Sequence, residues 1–249
     1  SLGNGIDPLE IIDKYGADAL RLTLITGNAP GNDMRFYYEK VEASRNFANK
    51  VWNASRFIMM NMEGKSKEPA AIEQLEPVDK WILSRLNNLI KEATDNMEHY
   101  ELGIAVQKVY DFIWDEFCDW YIEMVKPRLY SSDDQNSQNA ALWTLKTVLS
   151  QALKLLHPYM PFITEEIFCS LQQEEESIMI SSWPEYREEW CFAKEEKDIE
   201  TIKEAVRGIR NVRTQMQVAP SRKAKVYVVS ENDGILAAFT EGRLFFASL

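Results

Sequence analysis

Cysteine, histidine and positive charge are all scarce in this sequence. Only three cysteines and two histidines occur in 249 residues. The cysteines, Cys118, Cys169 and Cys191, are odd in number, far apart and without CxxC or His spacing, so neither a disulfide framework nor a zinc site is expected. We therefore expect reduced thiols with a structural role and no metal-binding residues.

Long hydrophobic runs are missing as well. No stretch approaches the roughly 18–20 apolar residues that a membrane-spanning helix requires. No basic and then apolar leader opens the chain, so we expect a cytoplasmic protein that does not bind a membrane. The formal net charge of −11 argues against broad, nonspecific binding of nucleic acids, which needs a basic surface. A local nucleic-acid site stays possible, because seven basic residues and one acid fall within residues 203–225.

Hydrophobic periodicity predicts a mainly α fold. Helical spacing runs through residues 77–97, 102–124 and 139–156, and short loops join them, which favours a bundle with the helix at 37–63. Short helices are expected before it, from residue 8 to 14 and from 17 to 25. A small α/β element should follow, with strands at 178–182 and 224–229, a helix near 199–212, and a helix and strand after residue 234. The predicted domains are 1–36, 37–175 and 176–249.

The helix at residues 37–63 has two contrasting faces. It runs without Gly or Pro, and one broad sector collects its apolar side chains: Val41, Ala48, Val51, Trp52, Ile58, Met59 and Met62. The opposite sector holds amides, cations and one aromatic ring at spacings of three and four: Asn46, Asn49, Lys50, Asn53, Arg56 and Phe57. Amides read base edges, cations meet phosphate and a ring stacks, so this sector suits unpaired bases. A solvated face with one stray aromatic explains the spacing about as well.

Two further charged patterns admit more than one interpretation. Asp115, Glu116 and Asp119 could share a helix face, but nothing that accompanies them indicates a metal site or general acid chemistry. One of them could accept a hydrogen bond from a base amino group, or the acidic surface could bind another protein. Arg207, Arg210 and Arg213 form a cationic ridge that either contacts phosphate or pairs with neighbouring acids.

Several motifs resemble the class I aminoacyl-tRNA synthetases. The opening SLGN-x-x-DP with Y-GADALR is similar to the segment that follows the ATP-handling K-M-S-K-S loop, whose lysines would lie before Ser1. GNGIDP, TGNAPGND with Arg35-Phe36, and RNFANKVWNASRF resemble the valyl branch of the family. The blocks at residues 114–123 and 157–166 resemble the anticodon-binding helical domain that the valyl, isoleucyl, leucyl and methionyl branches share.

The resemblance implies a specific role for this chain. A valyl member attaches valine to tRNA(Val) with ATP and Mg²⁺, but catalytic and editing domains would lie elsewhere, so we expect an inactive, monomeric anticodon-binding fragment without a cofactor or catalytic residues of its own. It implies anticodon contacts from Asn46, Asn49, Lys50, Asn53, Arg56 and Phe57, and backbone contacts from Arg45, Arg207, Arg210 and Arg213. The alternatives are the same region of an isoleucyl or leucyl enzyme, and a helical protein-interaction adaptor.

Overall fold

Helices account for most of the part of the chain that the structure describes. The computed structural model describes residues 5–27, 31, 34–63, 71–131, 134–172, 174–219 and 222–243. Its α-helices are α1 (Pro8–Tyr15), α2 (Ala17–Ile25), α3 (Tyr38–Met62), α4 (Pro77–Glu98), α5 (Leu102–Asp111), α6 (Ile122–Tyr130), α7 (Gln135–Leu156), α8 (Pro161–Leu171), α9 (Ala193–Gln215) and α10 (Asp233–Glu241). A π-helical segment, Phe112–Tyr121, joins α5 to α6 without a break. The predicted mainly α bundle is confirmed.

Local chemistry explains where several helices begin. Asp7 accepts a hydrogen bond from Leu9 N at 2.9 Å and precedes a proline in the first turn of α1. Asp134 caps α7 in the same way, through a 3.0 Å bond from Ser137 N. These polar side chains satisfy backbone N–H groups that the helix itself leaves unpaired.

The main hydrophobic core lies between α3, α4, α5 to α6, and α7. Its largest fully buried side chains come from these helices and from α8 and α2: Trp81, Tyr121, Phe47, Phe117, Phe168 and Leu22. The same core continues into α9 through Ile199 and Val206. A smaller cluster, which includes Ile11, Leu20 and Val41, packs α1 and α2 against the start of α3. The main core contains residues on both sides of positions 36 and 175. The domain boundaries placed at those positions stay a prediction.

The buried face of α3 is rotated from the predicted one. Val41, Val51, Ile58 and Met62 are buried as predicted, and Phe47 joins them. Trp52 is exposed, which corrects its assignment to the core. The reason is geometric: Trp52 lies about 100° around the helix from Val51, so it lies at the edge of the apolar sector. The buried Ser44 and Ser55 fill the centre of the packed face instead.

The helix that begins at Leu102 differs from its prediction in two ways. It continues through Pro127 to Tyr130, whereas the sequence predicts an end at Lys126-Pro127. Its middle is π-helical, and Ile122 N–H donates to the carbonyl of Phe117, five residues back. A proline removes one backbone donor, but α6 buries Met124, Val125 and Leu129 in the core, and this packing favours continuation of the helix.

The small C-terminal element is helical where the structure describes it. The predicted helices are confirmed as α9 and α10, but the expected strand at 178–182 is a 3₁₀ turn, Ile178–Ile180. Residues 224–229 are irregular and unpaired with any described strand, which corrects the second prediction. β-branched residues favour a strand only where a neighbouring strand supplies hydrogen bonds.

Some predicted features lie outside the described residues. These are residues 1–4, most of the loops at 28–33 and 64–70, and the final predicted strand at 244–249. Within the described ranges, no helix combines the length and apolar character needed to span a bilayer.

Candidate nucleic-acid interface

The outward face of α3 presents polar side chains that the rest of the molecule leaves unused. Asn46, Asn49, Asn53 and Arg56 are exposed. None of these four side chains makes a hydrogen bond or ion pair with another residue in the described ranges. The helix beneath them is 25 residues long and is held by its buried face, so they stand on a rigid support. This arrangement leaves their donors and acceptors available to a ligand.

Lys50, by contrast, already has partners. Its Nζ lies 2.6 Å from Asp119 Oδ1 and 3.7 Å from the centroid of the Trp114 ring. Both partners belong to the π-helical segment. The cation therefore bridges α3 to the helix beside it.

A stacked group of three aromatic side chains, Phe47, Tyr110 and Trp114, lies beside Lys50. Phe47 is fully buried and stacks on Tyr110 with 4.2 Å between ring centroids. Tyr110 stacks in turn on Trp114, 5.7 Å away and almost parallel. Since Tyr110 and Trp114 are half-buried, the group leads from the core to the surface. It fixes the indole of Trp114 against rotation.

α3 contacts the continuous helix formed by α5, the π-helical segment and α6, and the contacts follow the same order along both helices. Phe47 meets Tyr110, Lys50 meets Trp114 and Asp119, and Phe57 meets Lys126. The two helices are therefore parallel along this line. We call the line of contact, formed by Phe47, Lys50 and Phe57 with Tyr110, Trp114, Asp119 and Lys126, the seam.

Phe57 is half-buried, whereas the sequence predicts an outward ring. It packs against the main core, and Lys126 Nζ lies 5.6 Å from its ring centroid. The helical position explains this, because Phe57 lies on the same flank of α3 as Lys50, next to the seam. Trp52, on the other flank, is 37% exposed and is a more accessible aromatic side chain than the sequence suggests.

Arg45 is engaged with its own surroundings. Its Nη2 lies 3.2 Å from Glu42 Oε1, and its guanidinium carbon lies 5.4 Å from the Tyr15 ring centroid. Arg45 thus connects α3 to α1.

The cationic ridge on α9 packs against the bundle. Arg207 and Arg210 lie 5.4 and 5.6 Å from the ring centroid of Trp120, and Arg207 Nη1 is 2.8 Å from Glu200 Oε1. Burial disfavours ionisation of Glu200, but hydrogen bonds from Lys203 and Arg207 outweigh it and lower the pKa of this carboxyl. The ridge therefore has internal partners on its inner side, and the structure does not bring it to the α3 face.

Arg213 has a local structural role at the end of α9. Its Nη2 donates to the carbonyl oxygens of Ala219 and Arg222, at 2.8 and 2.7 Å. These bonds hold the chain that follows the helix.

The carboxylates of the π-helical segment differ in their environments. Glu116 accepts three hydrogen bonds from Arg85, of 3.2, 2.9 and 2.8 Å, in a cavity of about 550 Å³ that Trp120 and Lys203 also line. Asp115 is exposed at the mouth of that cavity. Partial burial raises its pKa, and the negative charges of Asp119 and Asp111 raise it further. No group of three or more His, Cys, Asp or Glu side chains within the described ranges could hold a metal ion.

Four seam residues were not predicted from the sequence: Phe47, Tyr110, Trp114 and Lys126. For Tyr110 and Trp114, the signal is their spacing from Asp119 at intervals of four and five, which brings these three residues to one side of a π-helix. In an α-helix, the same spacing would place Asp119 on a different side from Tyr110 and Trp114.

Comparisons with known proteins identify the family of this chain. A family model described as the anticodon-binding domain of tRNA ligase matches residues 79–228, and a second, described as class I tRNA synthetases (I, L, M and V), matches residues 1–37. The valine–tRNA ligase of Clostridium tetani is 57% identical over 250 residues, and that of Carboxydothermus hydrogenoformans is 45% identical over 249. Both alignments cover 100% of this chain and 28% of the relative, and both include α3, which lies between the two family matches.

Solved structures show the same fold at low identity. A LeuRS–tRNA–LeuAMS complex from Agrobacterium radiobacter matches with a TM-score of 0.59 and 20% identity, over 78% of this chain and 23% of that one. Methionyl-tRNA synthetase of Mycobacterium tuberculosis, in complex with methionyl-adenylate, matches with a TM-score of 0.56 and 18% identity, over 67% and 34% of the two chains. The anticodon-binding model covers residues 79–228, more than half of this sequence, and the chain therefore belongs to the anticodon-binding domain family of tRNA ligases.

Proposed function

We propose that this chain recognises the anticodon of tRNA(Val) as part of a valine–tRNA ligase. Support comes from the family match and from the identity of 45–57% to curated valine–tRNA ligases along the whole chain. The chain spans about 28% of the length of those relatives. Valine activation with ATP and Mg²⁺, and transfer to tRNA, are proposed for the longer protein, and no residue described here is proposed to hold ATP or Mg²⁺.

The observation that carries the proposal is the unused polar line on α3. Asn46, Asn49 and Asn53 offer amide donors and acceptors toward solvent, and Arg56 adds a cation, all on one rigid helix. Unpaired bases are recognised through their Watson–Crick edges by such side chains, with stacking on aromatic rings. A helix face that only needed to contact water would not require three amides aligned along it.

Each candidate residue has a proposed part in this recognition. The asparagines read base edges, and Arg56 contacts a base edge or phosphate. Phe57 stacks with the part of its ring that the core leaves accessible, and Lys50 acts at the seam. Arg45 braces the start of the interface through Glu42, or touches the RNA backbone. The outer sides of Arg207, Arg210 and Arg213 are proposed backbone contacts away from the anticodon.

Binding to an isolated RNA tests the proposal. We would measure the affinity of the 249-residue chain for a valine anticodon stem-loop and for one with the two discriminating bases changed. Preference for the valine loop supports the proposal, and Phe57→Ala should weaken valine-loop binding about tenfold, because stacking contributes roughly 1–3 kcal/mol per base.

Phe162→Ala is a matched control for that variant. Phe162 is an exposed aromatic on α8 outside the seam, so its removal should leave the affinity unchanged. Equal binding of all loops by the unmodified chain would contradict the proposed function. Preference for an isoleucine or leucine loop would instead assign the chain to one of those enzymes. Sedimentation of the same sample would test the expectation of a monomer.

A further inference from the structure

Asp119 and Lys50 form an ion pair at the centre of the seam, and its position suggests more than structural support. We propose that Asp119 determines specificity in two ways: it keeps Lys50 away from RNA phosphate, and it accepts a hydrogen bond from the exocyclic amino group of an anticodon base. This inference rests on the proposed function and adds a residue to it. It also implies that Lys50 lies beside a base and does not contact phosphate.

The ion pair does not hold the bundle together. The side chains of Lys50 and Asp119 are 23% and 51% exposed, and an ion pair with that much access to water contributes little to folding. Neither residue belongs to the hydrophobic core. A contact between two helices that the fold does not need is available for another purpose.

One oxygen of the Asp119 carboxylate is an unused hydrogen-bond acceptor, which a donor on a ligand can fill. Asp119 Oδ1 accepts from Lys50, whereas Asp119 Oδ2 has no hydrogen-bond partner in the described ranges. An ionised carboxylate is a pure acceptor, so what it lacks is an N–H or O–H group. In base recognition, carboxylates accept from amino groups such as cytosine N4. The ring of Trp114, beside the pair, supplies an aromatic surface for the same base.

Charge at the seam disfavours phosphate. Asp111, Asp115 and Asp119 lie exposed along one helix, and Asp111 and Asp119 both disfavour ionisation of Asp115. A phosphate approaching Lys50 would have to displace a carboxylate at 2.6 Å and remain near the others. A neutral base is not repelled by these carboxylates, and its amino group faces a hydrogen-bond acceptor.

Valine anticodons fit this chemistry. Valine codons begin with G and U, so the second and third anticodon bases are adenine and cytosine, and both carry exocyclic amino groups. The proposal predicts that the seam favours these two bases over bases without the amino group, and that Asp119 is the origin of part of that preference.

The test compares Asp119→Asn with the unmodified chain. The RNAs are a valine stem-loop, one with cytosine replaced by uracil, and one with adenine replaced by unsubstituted purine. For the unmodified chain, we expect at least one replacement to weaken binding about tenfold or more. In Asp119→Asn that factor should fall to about threefold or less, because the amide presents an N–H group where Asp119 Oδ2 accepted from the base. Lys50, no longer held by a charged partner, should strengthen binding to every loop about equally.

Salt dependence separates the two effects of the substitution. A freed Lys50 that neutralises one more phosphate should steepen the slope of log affinity against log salt by about 0.7. Adding Lys50→Met to Asp119→Asn should restore the original slope and leave the preference low.

Glu92→Gln is a matched control. Glu92 pairs with Lys108 at 2.7 Å between α4 and α5, and the two side chains are 54% and 39% exposed, so the substitution changes the same charge and frees a lysine outside the seam. It should alter neither the preference nor, by more than a small amount, the slope. Unchanged circular dichroism and thermal unfolding would show that each variant is folded.

The outcomes distinguish a failure of the inference about Asp119 from a failure of the proposed function. If the unmodified chain prefers the valine loop and Asp119→Asn retains that preference, the inference about Asp119 is overturned and the proposed function stands. A steeper slope with the preference intact also overturns it. If the unmodified chain shows no preference, the proposed function itself fails.

Discussion

Asp79 and Arg128 face each other in the bundle core, joined by hydrogen bonds of 2.8 and 2.9 Å between side chains 49 residues apart. The Asp79 side chain is completely buried, and Tyr121 donates a third bond to its carboxylate at 2.8 Å. Arg128 also donates to Ser137 Oγ at 2.9 Å. The pair thus connects α4, the π-helical segment, α6 and α7.

Removal of the charge at Asp79 should destabilise the fold strongly. Asp79→Asn removes the fully buried charge that faces Arg128 and leaves the partly exposed Glu76, 3.1 Å from Arg128 Nε, as its remaining carboxylate partner, so we expect the free energy of unfolding to fall by about 3 kcal/mol. Urea denaturation followed by circular dichroism would measure it. Asp198→Asn removes an i,i+4 pair with Lys194, which is 75% exposed, and should cost less than about 0.5 kcal/mol. Similar losses in both variants would contradict this account of the core.

The two faces of α3 can be compared by truncating one aromatic side chain on each. Phe47→Ala removes a fully buried ring and should lower the free energy of unfolding by about 3–5 kcal/mol. Trp52→Ala removes a larger ring from the exposed side and should cost less than about 1 kcal/mol. Equal destabilisation in urea would show that Trp52 belongs to the core after all.

The three thiols should differ in reactivity. Burial raises the pKa of Cys118 to about 12, so very little thiolate forms near neutral pH, and the side chain is also inaccessible. Cys169 and Cys191 are exposed. We expect iodoacetamide to label the exposed pair first, as mass spectrometry of tryptic peptides would show. Urea-unfolded chain is the control and should be labelled at all three, and rapid labelling of Cys118 in the folded chain would refute the prediction.

His157 should make stability depend on pH in a defined direction. Burial lowers its pKa below the ordinary value, and its Nδ1 lies 2.7 Å from Thr164 Oγ1. Because the folded state disfavours the protonated ring, this contribution is complete above the unfolded pKa of about 6.5 and is lost as the pH falls through the lower folded value.

A variant that cannot titrate isolates this contribution. The fall in the free energy of unfolding between about pH 7.5 and about pH 5.5 should be smaller in His157→Gln than in the unmodified chain. Urea denaturation at the two pH values measures the difference. An equal or larger fall in the variant would mean that protonation of His157 does not oppose folding.

Helix positions were largely predictable from the sequence, and the reason is periodicity. The long helices α4, α7 and α9 repeat apolar residues at helical spacing, and α4 and α7 begin at Pro77 and after Asp134. The face of α3 was harder, because Trp52 and Phe57 both lie at edges of its apolar sector. Which edge becomes buried depends on the neighbouring helix, and no local pattern specifies that.

The seam was only half predictable. On its α3 side, Lys50 and Phe57 belong to the predicted line but Phe47 does not, and its other side depends on the π-helical geometry of Phe112–Tyr121. Hydrogen bonds from residue i to residue i−5 cost more than α-helical ones and persist where tertiary packing favours them. The ion pair between Lys50 and Asp119 therefore had no signature in the sequence, and the predicted role of the six α3 residues stays a prediction.

The π-helical segment also limits how the length of this region can vary. A deletion of one residue within Phe112–Tyr121 can be absorbed when the wide π-helical turns tighten toward α-helical geometry, whereas an insertion of one residue would rotate everything downstream by about 100°. Arg128 would then turn away from Asp79, and Lys126 from Phe57, in a single event. Insertions should therefore be tolerated less well here than single deletions, since one inserted residue disrupts the core and the proposed RNA interface together.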